Sequence, residues 1–119
     1  MEAETVRRMA LTFPEAEEKS HFGTADFRVR NHIFATLPQD DYAVVKLTPE
    51  QQEIMAGSEP EMFEPVKGGW GRQGWTRVIL AEVDELTLRS ALTTAWRNVA
   101  PAKLLKVLDE SIGKRGEAS

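Results

Sequence analysis

The side chains best suited to chemistry crowd into one stretch, "KGGWGRQGWTRV" (67–78), which holds four glycines, two tryptophans, three cations and no acid. Two phosphate-binding patterns can be laid on it. Gly69, Gly71 and Gly74 match G-x-G-x-x-G, but a dinucleotide fingerprint must open a helix whose N-terminus meets the pyrophosphate. Here the composition of "WTRVILA" (75–81) predicts a strand instead. Gly69 and Gly74 also have the outer spacing of a Walker A loop, yet Trp75 stands where the phosphate-reaching lysine is required. Both motifs fail on mechanism. Two readings remain: a long hairpin connection whose glycines supply positive φ, or a loop that touches a ligand or partner.

Other reactive residues are scattered. His21 and His32 have no metal-ligand partner at i+3 or i+4. Ser20 and His21 are adjacent, so on an extended chain their side chains diverge rather than form a nucleophile–base pair. Asp40-Asp41 and Glu17-Glu18 fall in polar connections, where solvated carboxylates are expected. Trp96 recurs at helical spacing with leucines and belongs to a core. With no cysteine, thiolate chemistry and disulfides are excluded. No catalytic constellation emerges, so the expectation is a non-enzymatic protein without metal or other cofactor.

The frame that must position these residues is one domain of 119 residues, 41% hydrophobic and 29% charged. No apolar run approaches the roughly 20 residues of a membrane span, and the first nine residues lack a signal-peptide apolar region. A cytoplasmic location is the expectation. The net charge of −4 argues against a strong non-specific nucleic-acid binder. Charge is unevenly spread, however. Thr48 to Val66 carries five acids and no cation, whereas Lys67 to Ala81 carries three cations and no acid. Such a change of sign could focus an anion locally.

Periodicity predicts a helix over 2–12, a polar connection over 14–25, and a hairpin of "DFRVR" and "IFATL" turning at Asn31-His32. "YAVVKL" (42–47) is a third strand. Thr48, Pro49 and Gln51 then form a helix start with a capping box, in a short helix ending near Gly57. "MFEPV" (62–66) reads as an edge strand, because Pro65 cannot donate to a ladder. After "WTRVILA" come a helix over 85–99 and a final one from Pro101, with Leu104, Leu105, Leu108 and Ile112 inward, stopped at Gly113 and followed by a frayed tail over 113–119. The order is α-βββ-α-ββ-α-α: an α+β domain with one antiparallel sheet of about five strands and helices on one face.

"HFGTADFRVRNHIFATL", "GGWGRQGWTRVIL" and "ALTTAWRNVAPAKL" together resemble the MmcQ/YjbR family of small bacterial proteins, over nearly the whole chain. The resemblance implies a fold like that of type III secretion chaperones and a DNA-binding role. It brings no catalytic residues with it.

Register sharpens the binding reading. With Asn31-His32 as the turn, Arg30 faces Ile33 and Arg28 faces Ala35; the next turn sets Leu37 with Tyr42, Ala35 with Val44 and Ile33 with Lys46. Phe27, Val29, Phe34, Thr36, Ala43, Val45 and Leu47 then form the core face, joined by Val78 and Leu80. The second face carries Arg28, Arg30, Ile33, Ala35, Leu37, Tyr42, Val44, Lys46, Trp75, Arg77 and Ile79, with Asp26 at its margin. Four cations beside Tyr42 and Trp75 suit a surface that stacks bases and neutralises phosphates, with Lys67, Trp70 and Arg72 as a flanking loop. Such stems also cover exposed sheets without any ligand, and an open face with aliphatic patches suits a protein partner equally. The expected partner is DNA or another nucleic acid, with a protein as the alternative, and the expected state is a monomer.

Overall fold

The computed structural model describes the backbone of residues 1–118 and the side chains of residues 1–110. Its elements are α1 (Ala3–Ala10), β1 (Glu17–His21), β2 (Thr24–Val29), β3 (His32–Leu37), β4 (Tyr42–Lys46), α2 (Pro49–Ser58), β5 (Phe63–Pro65), α3 (Gly69–Arg72), β6 (Trp75–Ile79), α4 (Glu85–Val99) and α5 (Ala102–Ala118). The strands make one antiparallel six-stranded sheet in the order β1-β2-β3-β4-β6-β5.

The helices start where local chemistry satisfies their free N–H groups. The Thr48 side chain accepts from the Gln51 amide at 3.1 Å while the Gln51 side chain accepts from the Thr48 amide at 2.8 Å, completing the expected capping box of α2. Asp84 caps α4 by accepting from the Thr87 amide at 2.7 Å, and this bond holds its carboxyl below the usual range. Apolar faces of α1, α4 and α5 then close on one side of the sheet. Val6, Met9, Leu88, Leu92, Ala95, Trp96 and Leu104 join Phe27, Val29, Phe34, Val45, Leu47 and Val78 in a single core. Trp96 is fully buried, stacks on Phe13 at 6.0 Å and donates through Nε1 to the Pro14 carbonyl at 3.2 Å.

Several features depart from the sequence reading. The stretch read as a polar connection holds a sixth strand, β1, joined to β2 by a two-residue turn at Phe22-Gly23, both with positive φ. Every β1 residue is exposed, so it leaves no alternating apolar signal. The β2–β3 turn is Arg30-Asn31 rather than Asn31-His32: both central residues have positive φ, as a type I′ turn requires, and Val29 pairs with His32. A bulge follows, since Arg28 pairs with Ile33 but Phe27 with Ala35, leaving Phe34 as an extra residue on β3. Phe34 and Ala35 are consequently both buried in the core. Ala35 pairs with Val45 there, Leu37 packs against the same core, and Thr36 turns to the other face beside Val44. Finally, α5 continues through Gly113 to Ala118, over residues read as a frayed tail. The side chain of Ile112 lies outside the described residues.

The glycine-rich stretch forms a single helical turn, α3, between β5 and β6. Two of its glycines are there because main chain runs against main chain. A Cβ at Gly71 would collide with the Val66 carbonyl, and one at Gly74 with the Leu47 carbonyl. Gly74 also has φ of 107°, and its own carbonyl accepts from the Leu47 amide at 3.2 Å. Replacing either glycine by alanine is expected to destabilise the domain by roughly 3 kcal/mol or more. Gly57→Ala in α2, where a Cβ meets nothing within 4 Å, should be neutral or stabilise by up to about 1 kcal/mol. Denaturant midpoints of the three variants check both expectations.

Candidate functional site

The face of the sheet opposite the helices carries a cleft of about 320 Å³, lined by Ile33, Thr36, Pro38, Tyr42, Val44, Val66, Trp70, Trp75 and Arg77. Its floor follows from the pairings of the central strands: Thr36 with Val44, Val44 with Arg77, Tyr42 with Ile79, and Lys46 with Trp75. Cross-strand partners share a face. Alternation along β4 and β6 therefore delivers Tyr42, Val44, Lys46, Trp75 and Arg77 together. The volume lies at the lower end of the roughly 300–1,000 Å³ typical of small-molecule sites.

Aromatic rings form the walls. Trp70 and Trp75 meet edge to face with centroids 6.0 Å apart, and Trp70 remains 63% exposed. The Arg77 guanidinium lies over the Tyr42 ring, 4.0 Å from its centroid, and Lys46 Nζ sits 5.2 Å from the Trp75 ring. Both are cation–π contacts, which keep the cations at the ring faces. The turn carrying Trp70 is clamped as well. Gln52 Nε2 lies 3.0 Å from the Gly71 carbonyl, 3.1 Å from the Trp75 carbonyl and 3.1 Å from Thr76 Oγ1, and its two hydrogens can serve two of these at once. Thr76, fully buried, donates in turn to the Gly74 carbonyl at 2.9 Å. The flanking loop is thus a held part of the cleft.

The electrostatics differ from a bare basic platform. Arg28 makes a two-toothed pair with Asp26 at 2.7 and 3.0 Å, and Asp26 is only 2% exposed beneath it. This hydrogen bonding raises the Arg28 pKa above its ordinary value. Arg77 pairs with Glu64, its cross-strand neighbour on β5. Arg30 leaves the face altogether: it occupies the β2–β3 turn and pairs with Glu15 at 3.1 Å. Lys46 donates to the Gln73 carbonyl at 2.8 Å. Lys67 and Arg72 are exposed and make no ion pair among the described residues.

Of the residues singled out from sequence, Tyr42, Lys46, Trp70, Trp75 and Arg77 are brought together. Arg28 lies on the same face but is committed to Asp26, and Arg30 is elsewhere. Sequence reasoning missed Glu64. Phe63 is buried beside Val78, so its neighbour Glu64 had to face outward next to Arg77; the inward Phe63 was the available signal. It also missed Thr36, which only the bulge turns outward. The histidines stay out of the site: the His21 ring packs on exposed Phe22, with centroids 4.5 Å apart. Among the described residues no three His, Asp or Glu side chains converge as metal ligands would, and no helix is long and apolar enough to cross a membrane.

The buried carboxylate has a consequence for mutagenesis. Arg28→Ala strands Asp26 without its partner, whereas Arg30→Ala removes a pair that is about half exposed on both sides. Arg28→Ala should lower the thermal midpoint clearly more than Arg30→Ala, as calorimetry of the two variants would show.

The architecture is found in a solved structure. The crystal structure of Deinococcus radiodurans protein DR2400, which carries a DUF419 domain, superposes with a TM-score of 0.67 at 20% sequence identity, over 78% of this chain and 74% of that one. At that identity the likeness establishes the fold. No curated protein matches the sequence. The family model described as YjbR matches residues 11–98, from the end of α1 through nearly all of α4. The chain therefore belongs to the YjbR family.

Proposed function

We propose that this domain is a non-enzymatic, cytoplasmic binding protein that takes unpaired nucleic acid on its open sheet face, with a base stacked in the aromatic cleft. One observation carries the reading: Tyr42, Trp70 and Trp75 converge on an uncovered sheet face with Arg77 and Lys46 laid against their rings. Aromatic platforms with neighbouring cations are how sheet-based domains hold single strands, because every base offers a π-face. A base-paired duplex buries its bases and would have to be held by its phosphates. The cations available for that are few, since Arg28 and Arg77 are paired with acids. The proposed ligand is therefore single-stranded, bound mainly by stacking and with modest affinity.

That same pairing favours a second reading, in which an apolar side chain of a partner protein fills the cleft. The two differ in their response to salt. Each phosphate neutralised contributes about −0.7 to the log–log slope for a single strand, whereas an apolar anchor contributes almost nothing.

Fluorescence anisotropy with labelled oligothymidylate and a duplex of equal length tests the proposal. Wild-type protein should bind the single strand more tightly, with a salt slope of about −0.7 to −2. Trp75→Ala should weaken binding by about 1–3 kcal/mol, and Trp70→Ala by a comparable amount, without change in the far-ultraviolet dichroism. Duplex binding that matches or exceeds single-strand binding, or a Trp75→Ala variant with unchanged affinity, would overturn it.

A further inference from the structure

Glu64 takes no part in the stacking of a base. It sits on the short outer strand β5, about half exposed, and pairs with Arg77 across the strand pair. Among the described residues that line the cleft itself, Arg77 is the one cation, Lys46 lying over the Trp75 ring. Its charge is therefore already answered from within the chain. The guanidinium is nonetheless incompletely satisfied: Arg77 Nε is buried and has no hydrogen-bond partner among the described residues. A buried donor left unpaired is costly, so this arrangement gains when an acceptor reaches it. Glu64 engages the Nη1 side only, and the ring of Tyr42 lies under the guanidinium plane.

We propose that Glu64 is a specificity-determining residue of the cleft, an internal competitor that occupies Arg77 in the free protein. This inference rests on the open-face cleft being the binding site proposed above. With the pair closed, the cleft selects for flat aromatic groups and against bare anions, which meet the Glu64 carboxylate at the rim. A phosphate or carboxylate on the ligand engages Arg77 only by displacing Glu64, whereupon the guanidinium turns on the Tyr42 ring and its Nε–H gains an acceptor. Anionic ligands lacking a ring to stack thus lose the contest. Those carrying both a ring and an anion, as a nucleotide does, gain stacking and the freed cation together. Glu64 is 49% exposed and lies on the edge strand β5, whereas Arg77 is 30% exposed on β6, so swinging the carboxylate away disturbs little else in the fold.

The test compares wild type, Glu64→Gln and the double variant Glu64→Gln/Arg77→Met, each first checked for an unchanged thermal midpoint. Two probes are used: labelled oligothymidylate followed by anisotropy, and inorganic phosphate followed by the Arg77 Nε–H resonance in nitrogen–proton spectra. Glu64→Gln should bind the oligonucleotide about 3–10-fold more tightly at low salt, with a slope steeper by about 0.7. It should also respond to phosphate at lower concentration than wild type, and the double variant should lose the gain in oligonucleotide binding. Equal affinity, slope and phosphate response in wild type and Glu64→Gln would overturn the role of Glu64 while leaving the nucleic-acid reading intact. Conversely, absence of oligonucleotide binding in every protein, with a sharper phosphate response in Glu64→Gln, would support the competitor and sink the nucleic-acid reading.

Discussion

Main chain passes against main chain at the turn between β5 and β6, and the open face depends on that contact. Gly71 lies against the Val66 carbonyl and Gly74 against the Leu47 carbonyl, with no room for a Cβ at either. The Gln52 amide, held on α2, bridges toward Gly71, Trp75 and Thr76 and locks the turn to the strand that follows. These contacts set Trp70 edge-on to Trp75 and so raise one wall of the cleft. Gly71 and Gly74, two of the glycines that could suggest a phosphate cradle, are required by packing, and that packing brings the two tryptophans together.

A sheet covered by helices on one side must turn its other residues outward, and the composition of that outward face decides what it can bind. Arginine, lysine and aromatic rings alternate with valine and isoleucine here, but Asp26 and Glu64 answer two of the cations from within the chain. The result is an aromatic cleft in which two of the facing cations are answered from within the chain, rather than a bare basic plane. Under the proposed nucleic-acid reading, that pairing leaves stacking, not charge, as the principal source of selectivity. Arg28 has a structural part as well, since it covers a carboxylate that is 2% exposed.

Four of the five helices and five of the six strands were legible, most of them because each has a periodic apolar face or a cap; the single turn of α3 was read as a loop. The Thr48 capping box and the leucine stripe of α4 are local signals that tertiary packing does not alter. The α+β class, the single antiparallel sheet and the grouping of Tyr42, Val44, Lys46, Trp75 and Arg77 followed from alternation along β4 and β6. What escaped depends on contacts distant in sequence. β1 has no apolar residue to alternate, and only its pairing with β2 makes it a strand. The bulge at Phe34 cannot be seen from β3 alone: "IFATL" reads as simple alternation, and pairing with Phe27 shows that two consecutive residues enter the core. A positive φ at Arg30 is unusual for a side chain of that size, so Asn31-His32 was the more natural turn. Ion pairs such as Arg77 with Glu64 appear only once β5 is set beside β6.

The proposed binding function requires the face opposite the helices, and not the helical side, to take the ligand. Mapping backbone amide shifts of the nitrogen-labelled protein during titration with unlabelled oligothymidylate tests it most directly. Concerted shifts at Ile33, Thr36, Tyr42, Val44, Trp70 and Trp75 that fit one dissociation constant are expected. Shifts confined to α1 and α4, or none at concentrations that saturate anisotropy, would contradict it.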